Sequence, residues 1–467
     1  MNRRQFIHLA QALGLSTWCG EMAFAHSRDH HKIRVRKSLN HGGAMADAQK
    51  FNAGIGKLKA NPVATDYKSW TYWANVHGVP PPVPAEMAKV WGQCAHRTPH
   101  FLTWHRAYMF FMEALIREVT QDDSFAIPYW DWFDDPAMPA QFTDGTLPHL
   151  LHSPRAYNPR QLLRAPFLAN DFTEFYKLFE PNPHGAAHLM VGGDMANEQI
   201  SGGDPIFWAH HVNVDRLWDA WLAMDPTRAN STEKEWLDQQ FVFDTAGKKV
   251  IRVSDMLDTA KLGYCYESLQ LPDLHDEIPP QPQVILPVTP AAKTTGLVQP
   301  DTAAKTSLAL TGASVSVALP ILNSEREKVA NIMRDPQQRD HDLTLTLSDF
   351  HVTERGLKRG YSYRIYANLP AKARSGEQHR DMYLGEINSF LLGRQADHAS
   401  PVVYSLNAII GRQMRRALWS TNEVRFSFVS ADTNEKEVLL EVGSVELAVS
   451  SPGAATASTD HHHHAAH

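Results

Sequence analysis

Two periodicities divide the chain. Over residues 26–269 apolar and aromatic side chains recur at helical spacing. The stretch 69–77 places Trp70, Trp73 and His77 on one face, 101–119 predicts a long amphipathic helix, and 207–224 predicts another that stops before Pro226. Over residues 306–449 the period falls to two, as in Leu343-Thr344-Leu345-Thr346-Leu347, with further alternating runs at 361–366, 424–429 and 438–449. Short strands separated by polar breaks predict an antiparallel β-sandwich. Between the two regions, residues 270–305 carry Ile278-Pro279-Pro280-Gln281-Pro282, Pro287 and Pro290. These prolines exclude a helix or a central strand and predict an extended linker. The last stretch, 450–467, is small and polar with Asp460-His461-His462-His463-His464, and reads as a disordered tail.

The chain opens with Arg3-Arg4-Gln5-Phe6-Ile7, an apolar stretch over 9–18 and Ala23-Phe24-Ala25. This order predicts a twin-arginine-type signal peptide over 1–25 and hence an exported protein. No later run is long enough to span a bilayer, so no membrane partner is expected. A composition of 43% hydrophobic and 21% charged residues over 467 positions is that of a globular protein with room for more than one domain. A net charge of -6 gives nucleic acid no reason to bind. Cys19 falls within the signal segment, which leaves Cys94 and Cys265, too few for a disulfide framework. The 25 histidines change the picture, because several stand at metal-ligand spacing.

His77, His96 and His105 form one cluster. His77 closes a helix ahead of Gly78 and Pro80; Thr98 followed by Pro99 predicts a helix start, with His96 before it and His105 inside it. His184, His188 and His211 form the other. Asn182-Pro183 predicts a start that puts His184 and His188 one turn apart on a shared face. Asp204-Pro205 predicts another, carrying Phe207, His210, His211 and Asp215. Asp215, one turn beyond His211, suits the orienting of an imidazole or its neighbours. Imidazole serves copper, zinc, iron and nickel. His184-Gly185-Ala186-Ala187-His188 lacks the glutamate of a zinc-protease helix, and a non-haem iron triad would need a carboxylate. Two all-nitrogen sites favour a pair of copper ions able to bind O2.

Three stretches then resemble one family: His96 with Phe101-Leu102-Thr103-Trp104-His105-Arg106, the run Ile127-Pro128-Tyr129-Trp130-Asp131-Trp132, and the run from Asp204 through Trp218. Over the helical half the chain resembles the tyrosinase/catechol oxidase family of type-3 copper proteins. The resemblance implies a mainly α catalytic domain over 26–269, a four-helix bundle holding a dicopper centre, and a C-terminal antiparallel β-sandwich shielding domain over 306–449. It implies His77, His96 and His105 on the first copper and His184, His188 and His211 on the second, with His210 beside them. Cys94 resembles the cysteine joined by a thioether to a copper-binding histidine, here His96. Glu180 resembles the acid that holds a proton-accepting water, and Phe207 the aromatic over the imidazoles. Tyr264-Cys265-Tyr266 resembles the motif that closes the catalytic domain. The run from Gly385 to Gly393 resembles the loop that plugs the copper pocket, through Phe390, Leu391 or Leu392. Gly185 stands where strong monophenol hydroxylases carry Asn, which favours catechol oxidation over hydroxylation. The implied activity is oxidation of small phenolic substrates, o-diphenols, to o-quinones by O2, latent until the C-terminal domain is displaced. An o-aminophenol oxidase or haemocyanin-like oxygen binding are the alternatives, and oligomeric state stays open.

Overall fold

The computed structural model describes residues 33–158, 162–272, 284–286, 304–321, 323, 326–334, 342–369, 382–392, 401–414, 423–430 and 435–450. The expected signal segment, most of the linker and nearly all of the tail lie outside the described residues. The chain divides into two compact units, Met1–Leu274 and His275–His467.

The first unit is mainly helical. Its principal helices are α1 (Met45–Lys59), α2 (Trp70–His77), α3 (Phe101–Thr120), α4 (Phe172–Phe179), α5 (Ala186–Val191) and α6 (Pro205–Met224). α3 buries Phe101, Leu102, Trp104, His105, Tyr108, Met109, Met112, Leu115 and Ile116, a stripe at three- and four-residue spacing that fits a helix laid on a core. α6 is buried on nearly every face, as a helix apolar all round must be. α1 and α6 both pack on α3, and Trp73, Trp130, Trp208, Trp218 and Trp221 fill the space between elements. Asp204 caps α6 by accepting from the Ile206 amide at 3.0 Å, with Pro205 in the first turn, as its sequence predicts. Two short strands, β2 (Gln240–Val242) and β3 (Val250–Arg252), follow as a hairpin. No helix among the described residues is long and apolar enough to cross a membrane.

A parallel pair joins the two ends of this unit: β1 (Arg34–Arg36) runs beside β4 (Tyr264–Tyr266), with Arg36 level with Tyr266. Cys265 lies buried on β4 between the two tyrosines. Between the pair and α3 and α6 sits Asp215. Its carboxylate accepts from Arg36 at 3.0 Å, from the Tyr264 hydroxyl at 2.6 Å, and from Arg106 and Tyr266. Arg36 also donates to Glu113 at 3.0 Å and lies over the Tyr264 ring, 3.6 Å from its centroid. Asp215 therefore faces arginines and tyrosines: it holds Arg106, the neighbour of His105, rather than an imidazole itself. Burial alone would raise the Asp215 carboxyl, but Arg106 and Arg36 outweigh it and hold its pKa below the ordinary value.

The second unit is rich in β-sheet. Its strands are β5 (Val284–Leu286), β6 (Ala304–Leu310), β7 (Val315–Pro320), β8 (Asp342–Val352), β9 (Ser362–Ala367), β10 (Tyr383–Asn388), β11 (Val402–Ser405), β12 (Glu423–Ser430) and β13 (Leu440–Ser450). They form one sheet in the order β10-β9-β12-β7-β5 and another in the order β11-β8-β13-β6. Alternate residues of both, such as Leu345, Leu347, Phe426 and Phe428, share one apolar cluster. β5 lies inside the segment read as linker. It pairs parallel with β7 at the sheet edge. The expected plug residues leave the strand pattern: after β10 the chain turns into a short helix, Ser389–Leu392, where the Asn388 side chain accepts from the Leu391 amide at 2.7 Å. Phe390 and Leu392 are buried and Leu391 is half-buried.

Breaking one member of a buried charge cluster leaves its partners uncompensated. Asp215→Asn is expected to lower the stability of the helical unit by about 3–5 kcal/mol, read as a lower urea midpoint by tryptophan fluorescence. Because the folded pKa lies below the unfolded value of about 3.9, the wild-type advantage is complete above that pH and fades as the pH falls through the folded value.

Candidate metal centre

Each histidine of the two clusters comes from a different kind of backbone. His77 is the last residue of α2. Gly78 follows because an added Cβ would meet the Glu198 carbonyl oxygen at 2.5 Å, and that close approach lets Glu198 accept from His77 Nδ1 at 3.0 Å. His96 sits in the loop before α3, next to Arg97, whose φ of 62° turns its amide toward Glu180. α3 begins at Phe101, later than Thr98-Pro99 suggests; the Thr98 hydroxyl donates to Ala95 O at 2.8 Å and accepts from the His100 amide, so it organises the turn ahead of the helix. His105 is then on the second turn of α3.

The second cluster corrects another expectation. Residues Glu180–Gly185 form a π-helical turn interrupted at Asn182, whose φ of −157° is extended. Asn182 caps no helix: its side-chain oxygen accepts from the Leu163 amide at 2.7 Å. The kink falls at Asn182, helical backbone follows through Gly185 into α5, and His184 and His188 stand one turn apart along it, as the sequence predicts, with ring centroids 4.8 Å apart. Gly185 is buried at the junction. His211 and its neighbour His210 lie on α6, both fully buried.

The structure brings ring nitrogens of His77, His96 and His105, with the Cys94 sulfur, within 4.8 Å of one another, and does the same for His184, His188, His210 and His211. The clusters adjoin: the rings of His105 and His211 stack with centroids 4.2 Å apart and 2° between planes. Their protons can be assigned from their partners. Backbone carbonyls only accept, and Nδ1 of His77, His105, His184 and His188 each faces one, from Glu198, Phe101, Glu180 and Met195, at 2.8–3.0 Å. Nδ1 of His96 lies 3.3 Å from the Glu180 carboxylate. All five Nδ1 atoms thus carry the proton and all five Nε2 atoms carry a lone pair. Burial drives His77, His105, His184, His188, His210 and His211 well below the ordinary imidazole value, so neutral rings are what the site contains.

The donor set fits a metal. Nε2 of His77 and Nε2 of His96 stand 3.2 Å apart, lone pair toward lone pair, and the Nε2 lone pair of His188 faces His211 Nε2 at 3.3 Å. Converging lone pairs repel unless a cation lies between them. Uncharged imidazole sets suit copper, and nothing here offers the carboxylates that a hard cation would take. Around the rings, Phe207 lies 4.7 Å from His77 and 4.2 Å from His211 between centroids and walls both clusters. Glu180 is buried, accepts from the Arg97 amide at 2.7 Å and reaches His96. Cys94 Sγ is 3.4 Å from His105 Nε2. Trp132 donates to His210 Nδ1 at 3.0 Å. The spacing of histidines pointed to the clusters, but not to the carbonyls of Glu198 and Met195, which have no side-chain signature, nor to Arg36 and Arg106.

The chain is similar to known proteins. The common central domain of tyrosinase matches residues 67–165 and 152–224, and the polyphenol oxidase middle domain matches 230–278. A chloroplastic polyphenol oxidase of Malus domestica is 26% identical over 297 residues, 52% of this chain and 49% of that protein. A tyrosinase of Hahella sp. (strain CCB-MM4) is 29% identical over 250 residues, 44% of this chain and 53% of its own. The chain spans about half the length of these curated relatives. Among solved structures, latent apple tyrosinase superposes with a TM-score of 0.59 at 20% identity, covering 90% of this chain and 98% of that one. The helical core followed by a sheet-rich region is the fold of that structure. Over residues 67–278 the chain is thus similar to the tyrosinase/polyphenol oxidase family.

Proposed function

We propose that the protein oxidises o-diphenols to o-quinones with O2 at a dicopper centre. The observation that carries this reading is the pair of adjoining buried clusters whose ring nitrogens converge. His77, His96 and His105 would hold one copper, and His184, His188 and His211 the other. The copper pair, when bound, supplies the oxidising chemistry: two catechols give up two electrons each and O2 leaves as two waters. The protein's own part is to hold the rings, exclude water and manage protons. Phe207 offers a flat apolar wall to an aromatic ring. Glu180 is the candidate acceptor for a phenolic proton through a water; its Oε1 is engaged by the Arg97 amide, which leaves the other oxygen for that task. Gly185 favours diphenol over monophenol substrates. His105→Ala or His211→Ala is expected to halve the copper content and abolish O2 uptake with catechol; turnover at wild-type rate in either variant would overturn the assignment.

A thioether between Cys94 and His96 belongs to the same reading. Cys94 is a free thiol within the first cluster, its sulfur among the ligand atoms. Peptide mass spectrometry of the copper-loaded protein is expected to find the two residues cross-linked, and an alkylatable Cys94 would end the idea.

The second unit is proposed to make the enzyme latent. It folds as a four- and a five-stranded sheet over one core, read as a sandwich, and would cover the copper pocket with Phe390, Leu391 or Leu392 as the plug. The fold likeness to latent apple tyrosinase supports this. Proteolysis within 270–305 is expected to raise O2 uptake with a catechol severalfold and to leave uptake with the matching monophenol low. No activation on cleavage would sink latency, and rapid uptake with the monophenol would remove the restriction assigned to Gly185.

A further inference from the structure

The second cluster holds four imidazoles where three would complete a site. His184, His188, His210 and His211 each bring a ring nitrogen into the same small volume, and His210 is as buried as the others. What sets His210 apart is where its proton must be. An indole N–H donates and never accepts. Trp132 Nε1 lies 3.0 Å from His210 Nδ1, so that nitrogen carries the lone pair and the proton of the neutral ring sits on Nε2. In His184 and His188 the order is reversed, because the carbonyls of Glu180 and Met195 hold the proton at Nδ1. The tryptophan has little freedom to release its partner. It is fully buried, its ring set edge-on to Phe133 at 4.8 Å and against the His210 ring at 5.7 Å.

We infer that the Trp132–His210 hydrogen bond decides which histidines of the second cluster bind metal, by fixing His210 in the tautomer with no lone pair at Nε2. A protonated Nε2 cannot ligate, and the Nδ1 lone pair is already engaged. His211, the next residue along α6, is left as the third donor. Trp132 is thus a positioning residue that acts through His210. The arrangement is not one that packing alone would favour: His210 Nε2 is buried with no acceptor, a costly way to place a polar hydrogen. This inference rests on the dicopper reading for its consequence, though the tautomer itself does not.

Two measurements on the full chain test it. Long-range 1H–15N spectra of histidine-labelled, metal-free protein are expected to show the His210 ring, assigned by its loss in His210→Gln, in the Nε2–H form, and the rings of His77, His96, His105, His184 and His188, assigned in the same way, in the Nδ1–H form; Trp132→Phe shifts the His210 signals toward a mixture. Copper content gives the second readout. His211→Ala should hold one copper per chain, and adding Trp132→Phe should bring the content back toward two by freeing His210. His210 in the Nδ1–H form, two coppers in His211→Ala, or a double variant that stays at one would each overturn the inference. If Trp132→Phe does not fold, the wild-type spectrum and His211→Ala decide. A wild-type chain that takes up no copper would instead defeat the dicopper reading and leave the spectrum to judge the tautomer.

Discussion

A neutral imidazole has one proton for two nitrogens, so whatever accepts from one nitrogen determines what the other can do. The centre is built on that constraint. Four backbone carbonyls and one carboxylate take the Nδ1 protons of five histidines, and five Nε2 lone pairs turn inward as a result. Burial keeps the rings neutral. The carbonyls do this only because their chain segments are held at hydrogen-bond range, the 198–199 loop by its close approach to Gly78 and the 180–185 segment by its wide turn. The peptide backbone, more than any side chain, writes the chemistry of the site.

The relative placement of the two clusters depends on a second device. His105 and His211 lie on α3 and α6, and Arg106, the residue after His105, forms a buried pair with Asp215, one turn beyond His211. The charge cluster and the metal cluster are thus adjacent sections of the same helix pair. Arg36 and the two tyrosines of β4 complete it, tying the helices to the strand pair. Buried ion pairs contribute modestly to net stability but fix geometry, and here the geometry they fix is the stacking of His105 on His211.

Much of this was legible from spacing. The apolar stripes located α2, α3 and α6 within a few residues, Asp204-Pro205 marked the start of α6, and alternation marked β8, β9, β12 and β13. The histidines stood out because several ligand-type residues rarely recur at such intervals. What spacing does not carry is the partner of a long-range contact. Asp215 seemed placed to serve an imidazole one turn away, yet it is taken by Arg36, 179 residues distant. Asn182-Pro183 marks the break after which helical backbone runs into α5, but the asparagine side chain is used by Leu163 rather than as a cap. Trp132 was visible as part of a motif, while its donation to His210 appears only when the two elements meet in space.

The strand pair that closes the helical unit has a consequence for how the chain is made. β1 is built from the first described residues and β4 from nearly the last of that unit, and the Arg36–Tyr266 contact spans 230 positions. Contacts of such separation form late, because the loop between them must be closed before they return any stabilisation. Until β4 has left the ribosome, Asp215 has neither tyrosine hydroxyl, and Arg36 has no ring to lie over. The helical unit is therefore one that matures in a single late step rather than growing from its N-terminus, and a nascent chain interrupted before residue 264 would have its helices formed but unclasped.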